Sequence, residues 1–285
     1  MIVSDIRTHL LSVPYSDPPK TGVASFSSLE SNINLLVVEI ETDSGTVGTG
    51  HLHPIAGGMR TLDTCIHEML KPLLLGEDAT QVEALWQKMW AATYIQGRMG
   101  ITVMAMSALD VALWDALGRS EGKPLWELWG GSPDPLPIYG SGCFRGLGHD
   151  GMIEKAKRYV QRGFKTIKMQ VGHVFTHEED IINVRDMRQE LGNQVGIMLD
   201  VNQGWNANEA IEVGLQLDQF DLAWIEEPVL ADDFEGYHKI ADAIKTPVVG
   251  GENHFTHHDF KPFFASGKIP IIQPDIMRGG YTELK

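Results

Sequence analysis

The sequence predicts an α/β protein in two parts: an antiparallel β-hairpin unit with helices, then a parallel sheet built from βα units. Three observations carry this. A β-rich stretch near the start is broken by a turn. The apolar period then changes from that of a strand to that of a helix. After about Pro135, short apolar runs recur with amphipathic stretches between them.

In order, "NLLVVEIETDSGTVGTGHLH" holds a strand, the turn Asp43-Ser44-Gly45 and a second short strand, which reads as a hairpin. From residue 58 the pattern is helical. "MRTLDTCIHEMLKPLLLG" and "DATQVEALWQKMWAATY" are amphipathic, the second opened by Asp78 as its N-cap. "GITVMAMSALDVALWDALGRSEG" is the most apolar of the helices, which predicts burial, and the glycines and proline of "GKPLWELWGG" stop it.

The runs "LPIYGSG", "TIKMQVG", "VGIMLDVN", "LAWIEEPV", "TPVVGGEN" and "IPIIQPDIM" then recur roughly every 25–30 residues, the spacing of consecutive βα units. Helical stretches such as "GMIEKAKRYVQRG" and "NEAIEVGLQLDQF" lie between them. Six strands are predicted, whereas a closed barrel needs about eight. An open sheet and a C-terminally truncated piece of a longer barrel are both compatible with that count.

The bulk properties exclude some functions. With 285 residues the chain can bury a large core. A net charge of −15 argues against a nucleic-acid partner, since no basic stripe could offset phosphate repulsion. The start "MIVSDIRTHLLSVPYSDPP" lacks the pattern of a signal peptide, and no apolar run is read as approaching the roughly 20 residues of a membrane span. No membrane partner and a cytoplasmic location are therefore expected. Cys65 and Cys143 form no metal-ligand or redox pair and read as buried free thiols.

Polar residues collect at the C-terminal ends of the apolar runs: Lys168 and Gln170, Asp200 and Asn202, Glu226, Glu252, Asp275. In a βα barrel those ends converge on one mouth. Asp200, Glu226 and Glu252 come from consecutive strands and repel unless something neutralises them. A hard divalent cation is the natural solution, Mg2+ first and Mn2+ as the alternative. Glu227 alternates away from Glu226 and is expected to do something else. Lys168 and Gln170, two apart on one strand, share a face.

The stretches "SALDVALWDALGRSEGKPLWELWGG", "KMQVG", "LDVNQGW", "WIEEP", "GGEN" and "QPDIMRGG" resemble, in order and along nearly the whole chain, the enolase superfamily, specifically its mandelate racemase group. The resemblance implies an α+β capping domain over residues 1–130 that sets specificity. It implies a modified TIM-type (β/α) barrel over 131–285 that carries catalysis, incomplete at its C-terminus. It further implies one Mg2+ held by Asp200, Glu226 and Glu252. The metal and Lys168 would hold a substrate carboxylate while a base removes the proton α to it, giving an enediolate. Such a proton is so weakly acidic that a Lewis acid and a fixed ammonium are needed to stabilise its loss. A Lys or His base with Mg2+ is the general pattern of such sites.

The group commonly has Lys-x-Lys where this chain has Lys168 and Gln170, the second lysine being a base. An amide has no proton-accepting pKa near neutrality, which disfavours racemisation by two bases. Expulsion of a β-hydroxyl needs one base, so dehydration of an acid sugar, an aldonate or aldarate, to a 2-keto-3-deoxy product is expected. A racemase, epimerase or cycloisomerase and an inactive fragment are the alternatives. Asp275 matches the Asp that orients the family's catalytic His, a residue that falls beyond Lys285. Gly279–Gly280 follow Asp275 one residue sooner than the family pattern has them. His254, His257 and His258 read as surface residues at the start of a helix. Gln170 and Asn202 would contact substrate hydroxyls. "VPYSDPPKTGVAS" reads as a loop that closes over a small acidic substrate, with Lys20, Thr21, His51 and His53 as its contacts. A homo-oligomer is expected.

Overall fold

Val3–Pro14 (β1), Asn32–Thr42 (β2) and Val47–Leu52 (β3) form an antiparallel sheet in sequence order. Alternation sets its inner face: Leu36, Val38 and Ile40 are buried on β2. The predicted turn closes β2 onto β3, with Gly45 at φ 81° and its N–H donating to the Thr42 carbonyl at 2.9 Å. The computed structural model describes residues 1–14, 32–54 and 57–285.

Two helical expectations are corrected. The helix Val82–Ala92 begins after Gln81, not after Asp78. The Asp78 carboxylate instead accepts from the Thr80 amide and hydroxyl at 3.0 and 2.9 Å, which closes a turn ahead of the helix. The helix Ile101–Glu121 is, by length and composition alone, long and apolar enough to cross a membrane, contrary to the sequence reading. Most of it is buried inside the protein, as a core helix would be. Its backbone lies against β3, where a Cβ on Gly48 or Gly50 would come within 2.1 Å of the Ala112 or Ala108 carbonyl oxygen.

The second sheet is parallel and runs in sequence order: Gly140–Cys143 (β4), Thr166–Gln170 (β5), Gly196–Asp200 (β6), Trp224–Glu226 (β7) and Val248–Val249 (β8). Helices Gly148–Gln161, His177–Leu191, Ala207–Leu217 and Phe234–Ala243 connect these strands. Thr176 with Glu179, and Asn206 with Glu209, form capping boxes that start two of the helices on cue. Ile167, Met169, Ile197, Leu199 and Ile225 join the helix faces in one core.

The sheet has five strands where six were predicted. The sixth run contributes a single parallel bridge, Gly250 to Ile272, with the Gln273 N–H donating to the Gly250 carbonyl at 3.0 Å. Pro270 and Pro274 on either side lack the N–H a longer ladder would need. The first run is shifted for the same reason. Pro135 and Pro137 interrupt it, Leu136 and Ile138 are 83% and 71% exposed, and pairing starts at Gly140.

The last helix, Ile276–Leu284, returns to the first unit. Asp110 on the buried helix accepts from the Thr282 amide at 2.9 Å and hydroxyl at 2.5 Å, and Trp114 Nε1 donates to the Thr282 Oγ1 at 3.0 Å. The glycine pair permits this approach: Gly280 has φ 65°, and a Cβ there would lie 2.5 Å from the Asp110 carboxylate.

Candidate active site

Register brings the strand ends together. Gln170 stands beside Asp200, and Asp200 beside Glu226, across β5, β6 and β7. On β5, Ile167 and Met169 are fully buried against the helices, whereas Lys168 and Gln170 share the other, partly open face. The Lys168 Nζ lies 2.7 Å from Glu226 Oε1 and 3.4 Å from Asp200 Oδ2. Burial pushes this ammonium's pKa down, but Asp200 and Glu226 outweigh burial and hold it above its ordinary value. These two ion pairs hold Lys168 in its charged form as the side chains stand.

The acids are held in low-dielectric surroundings. Asp200 and Glu226 are 4% and 2% exposed. Glu226 also accepts from Trp224 Nε1 at 3.1 Å and Gln273 Nε2 at 2.9 Å through its other oxygen. Burial raises the Asp200 carboxyl against the pull of Lys168. Glu252, just past β8, is pushed up to about 7 by burial and then by the charges of Asp200 and Glu226. As these side chains stand, no three His, Cys, Asp or Glu among the described residues are arranged to hold a metal ion, and Lys168 bridges Asp200 and Glu226. The donor chemistry nevertheless fits a hard divalent cation: three mutually repelling carboxylates, with oxygens only.

Glu227 takes a separate path. Its φ of 41° turns the chain after β7, and its buried carboxylate accepts from Asn253 Nδ2 at 3.1 and 2.9 Å. Burial, then Glu252, push it up to about 8. Asp275 caps the last helix by accepting from the Met277 amide at 2.8 Å, and among the described residues it pairs with no imidazole.

The histidine expectation is corrected at one position. His254 is 3% exposed, among Phe234, Phe260 and Phe263, and burial pushes its pKa down. These rings enclose it. His257 and His258 are exposed, and His257 Nδ1 meets Glu283 Oε2 at 2.5 Å. His51 is on the exposed side of β3, and the His53 N–H donates to Met277 Sδ at 3.2 Å, at the seam with the last helix. Lys20, Thr21 and the loop that carries them lie outside the described residues.

Sequence reasoning missed Tyr139, Arg145, Trp224 and Gln273. The Tyr139 ring packs edge-on against Trp224 at 5.6 Å, with Lys168 Nζ 5.8 Å from its centre. Trp224 and Gln273 sit two residues before Glu226 and Asp275, so alternation along the strand could have found them. Arg145, which follows β4, is 2% exposed, and its Nη2 donates to the Val171 carbonyl at 2.9 Å and to Asn202 Oδ1 at 2.8 Å.

An α+β unit packed on sequential βα units, with a cation and carboxylates at the strand ends, defines the capped-barrel class of enzymes. The chain belongs to the mandelate racemase/muconate lactonizing enzyme group of the enolase superfamily. Residues 8–130 match the mandelate racemase / muconate lactonizing enzyme N-terminal domain, and residues 151–285 match the enolase C-terminal domain-like family. The chain is 34% identical to the 3,6-anhydro-alpha-L-galactonate cycloisomerase of Streptomyces coelicolor, over 100% of this chain and 78% of that protein. It is 33% identical to the arabinonate dehydratase of Saccharolobus solfataricus, over 99% of this chain and 76% of that protein. A crystal structure of a racemase from Streptomyces coelicolor with bound magnesium superposes with a TM-score of 0.91 at 34% identity, covering 99% of this chain and 78% of that one.

Proposed function

We propose that this protein catalyses the Mg2+-dependent dehydration of an acid sugar, an aldonate or aldarate, to a 2-keto-3-deoxy acid. The observation that carries the reading is the pair on β5: Lys168 is locked as a cation by two carboxylates, and Gln170, the next residue on its face, cannot act as a base. Asp200, Glu226 and Glu252 would hold Mg2+, which supplies Lewis acidity for the substrate carboxylate. Lys168 adds a fixed positive charge for the same group. Gln170 and Asn202 contact hydroxyls. Asp275 would orient the family's imidazole base, which is not among the described residues and which would take the α-proton. The electron pair of the broken C–H bond becomes the enediolate double bond and then expels the β-hydroxyl, which takes up the proton now held by the imidazolium and leaves as water. The resulting enol tautomerises to the 2-keto acid. Residues 131–285 carry this chemistry, and residues 1–130 supply specificity through His51 and His53, with Lys20 and Thr21.

Cycloisomerisation is the second reading, supported by the 34% identity to the Streptomyces cycloisomerase. Mass spectrometry on an acid-sugar library with Mg2+ separates the two. A product lighter by one water and bearing a 2-keto group supports dehydration. A new product of unchanged mass supports cycloisomerisation. Failure to turn over any aldonate or aldarate overturns both.

A further inference from the structure

Arg145, Asn202 and Gln170 form a hydrogen-bonded relay of fixed polarity. Arg145 Nη2 donates to Asn202 Oδ1 at 2.8 Å, and Gln170 Nε2 donates to the same oxygen at 3.0 Å. A side-chain amide can be turned over in place, exchanging oxygen for nitrogen, and its shape alone does not choose. Here the choice is forced. A guanidinium has donors and no acceptor, so the Asn202 atom facing it has to be the oxygen. That oxygen can only accept, so the Gln170 atom facing it has to be the nitrogen. What is left is Gln170 Oε1, a buried acceptor with no hydrogen-bond partner among the described residues.

Arg145 is well placed to impose this. It is 2% exposed, and its Nη2 also donates to the Val171 carbonyl at 2.9 Å, which pins it to the end of β5. A guanidinium keeps its charge at neutral pH even when buried. Lys168 and Gln170 lie about 6.6 Å apart along β5, a span that a carboxylate and its first two carbons can bridge between the two side chains.

We propose that Arg145 is a positioning residue which, through Asn202, fixes Gln170 as the acceptor for a hydroxyl on one of the two carbons nearest the substrate carboxylate. The site then selects a hydroxyl, which can donate, over a keto or ether oxygen in the same place, which cannot. This rests on the reading of Lys168 and the metal as the carboxylate clamp.

The test uses the Mg2+-loaded full chain titrated with small acids by NMR: propionate, both enantiomers of lactate, 3-hydroxypropionate, and the methyl ethers of the hydroxy acids. The readout is the ratio of Kd values within each set, which cancels any general loss of binding. The expected result is that one hydroxy acid binds about threefold to tenfold tighter than propionate, the worth of one neutral hydrogen bond, and that its methyl ether loses the gain. Arg145→Met frees the amides to turn over, and the hydroxyl-to-ether ratio falls toward one. Arg145→Lys keeps a donor with no acceptor and keeps most of the ratio, which leaves the idea testable should the methionine variant fold poorly. If propionate fails to bind, the carboxylate clamp itself is wrong. If propionate binds while hydroxyl and ether bind alike, or if Arg145→Met leaves the ratio intact, the relay is wrong and the clamp survives.

Discussion

The Lys168 ammonium stands 2.7 Å from the Glu226 carboxylate and 3.4 Å from that of Asp200, so one cation serves two buried acids. Removing one partner of a buried pair leaves the other charge uncompensated, which costs about 3–5 kcal/mol. Lys168→Met should destabilise the metal-free protein by about that much. Mg2+ should raise its melting temperature by more than it raises that of the wild type, since the metal then has no neighbouring ammonium to repel it. Calorimetric melts of both proteins with and without Mg2+ decide this. Equal Mg2+ shifts would mean that the Lys168 ammonium does not repel the metal.

The amide at Gln170 makes a stereochemical prediction. An amide at Gln170 cannot accept a proton, so the proposed reaction deprotonates and reprotonates the α-carbon from one face only. Substrate recovered after partial turnover in D2O should carry deuterium, if any, with its configuration retained. Recovery of the α-epimer would show two bases at work and would return the site to racemase chemistry.

These residues were legible for a simple physical reason. One residue in two on a strand faces the mouth, so Lys168, Gln170, Asp200 and Glu226 announce themselves by position at the ends of apolar runs. The same rule reaches Trp224 and Gln273, which donate to Glu226. It cannot reach Arg145, which lies outside any strand and enters the site through the length of its side chain. His254 was misjudged because Phe234, Phe260 and Phe263, the rings that bury it, are brought together only by the fold. The ends of the parallel sheet were overestimated because prolines at 135, 137, 270 and 274 remove the donors that apolar pattern alone assumes.

Close backbone approach in the first unit gives a stability prediction. A Cβ on Gly50 would lie 2.1 Å from the Ala108 carbonyl oxygen and 2.9 Å from the Ala112 nitrogen, both backbone atoms of the buried helix. Neither can rotate away, so β3 and the helix have to separate. Gly50→Ala should cost about 3 kcal/mol, the upper end of what overpacking a core typically does. Gly45→Ala places its Cβ in open space but at φ 81°, so its cost is backbone strain alone. Urea denaturation should rank Gly50→Ala as the more damaging of the two, and the reverse order would contradict the packing described here.

Asp110 makes stability depend on pH in an unusual direction. It is fully buried between the core helix and Thr282. Burial pushes its carboxyl from 3.8 up to about 6, although the Thr282 hydrogen bonds pull the other way. Between those values the folded chain holds a proton that the unfolded chain has released, so rising pH favours unfolding through this group. Its contribution is fully present below 3.8 and is lost as pH climbs through 6. Two pKa units correspond to on the order of 3 kcal/mol. Asp110→Asn does not titrate. The stability of the wild type relative to this variant should therefore fall by on the order of 3 kcal/mol between pH 4 and pH 7 and stay level above that. Urea unfolding of both proteins at matched pH values measures the difference directly, with every other carboxylate cancelling. A difference that is flat with pH, or that rises, would mean that the Thr282 hydrogen bonds outweigh burial and that Asp110 is ionised in the folded protein throughout.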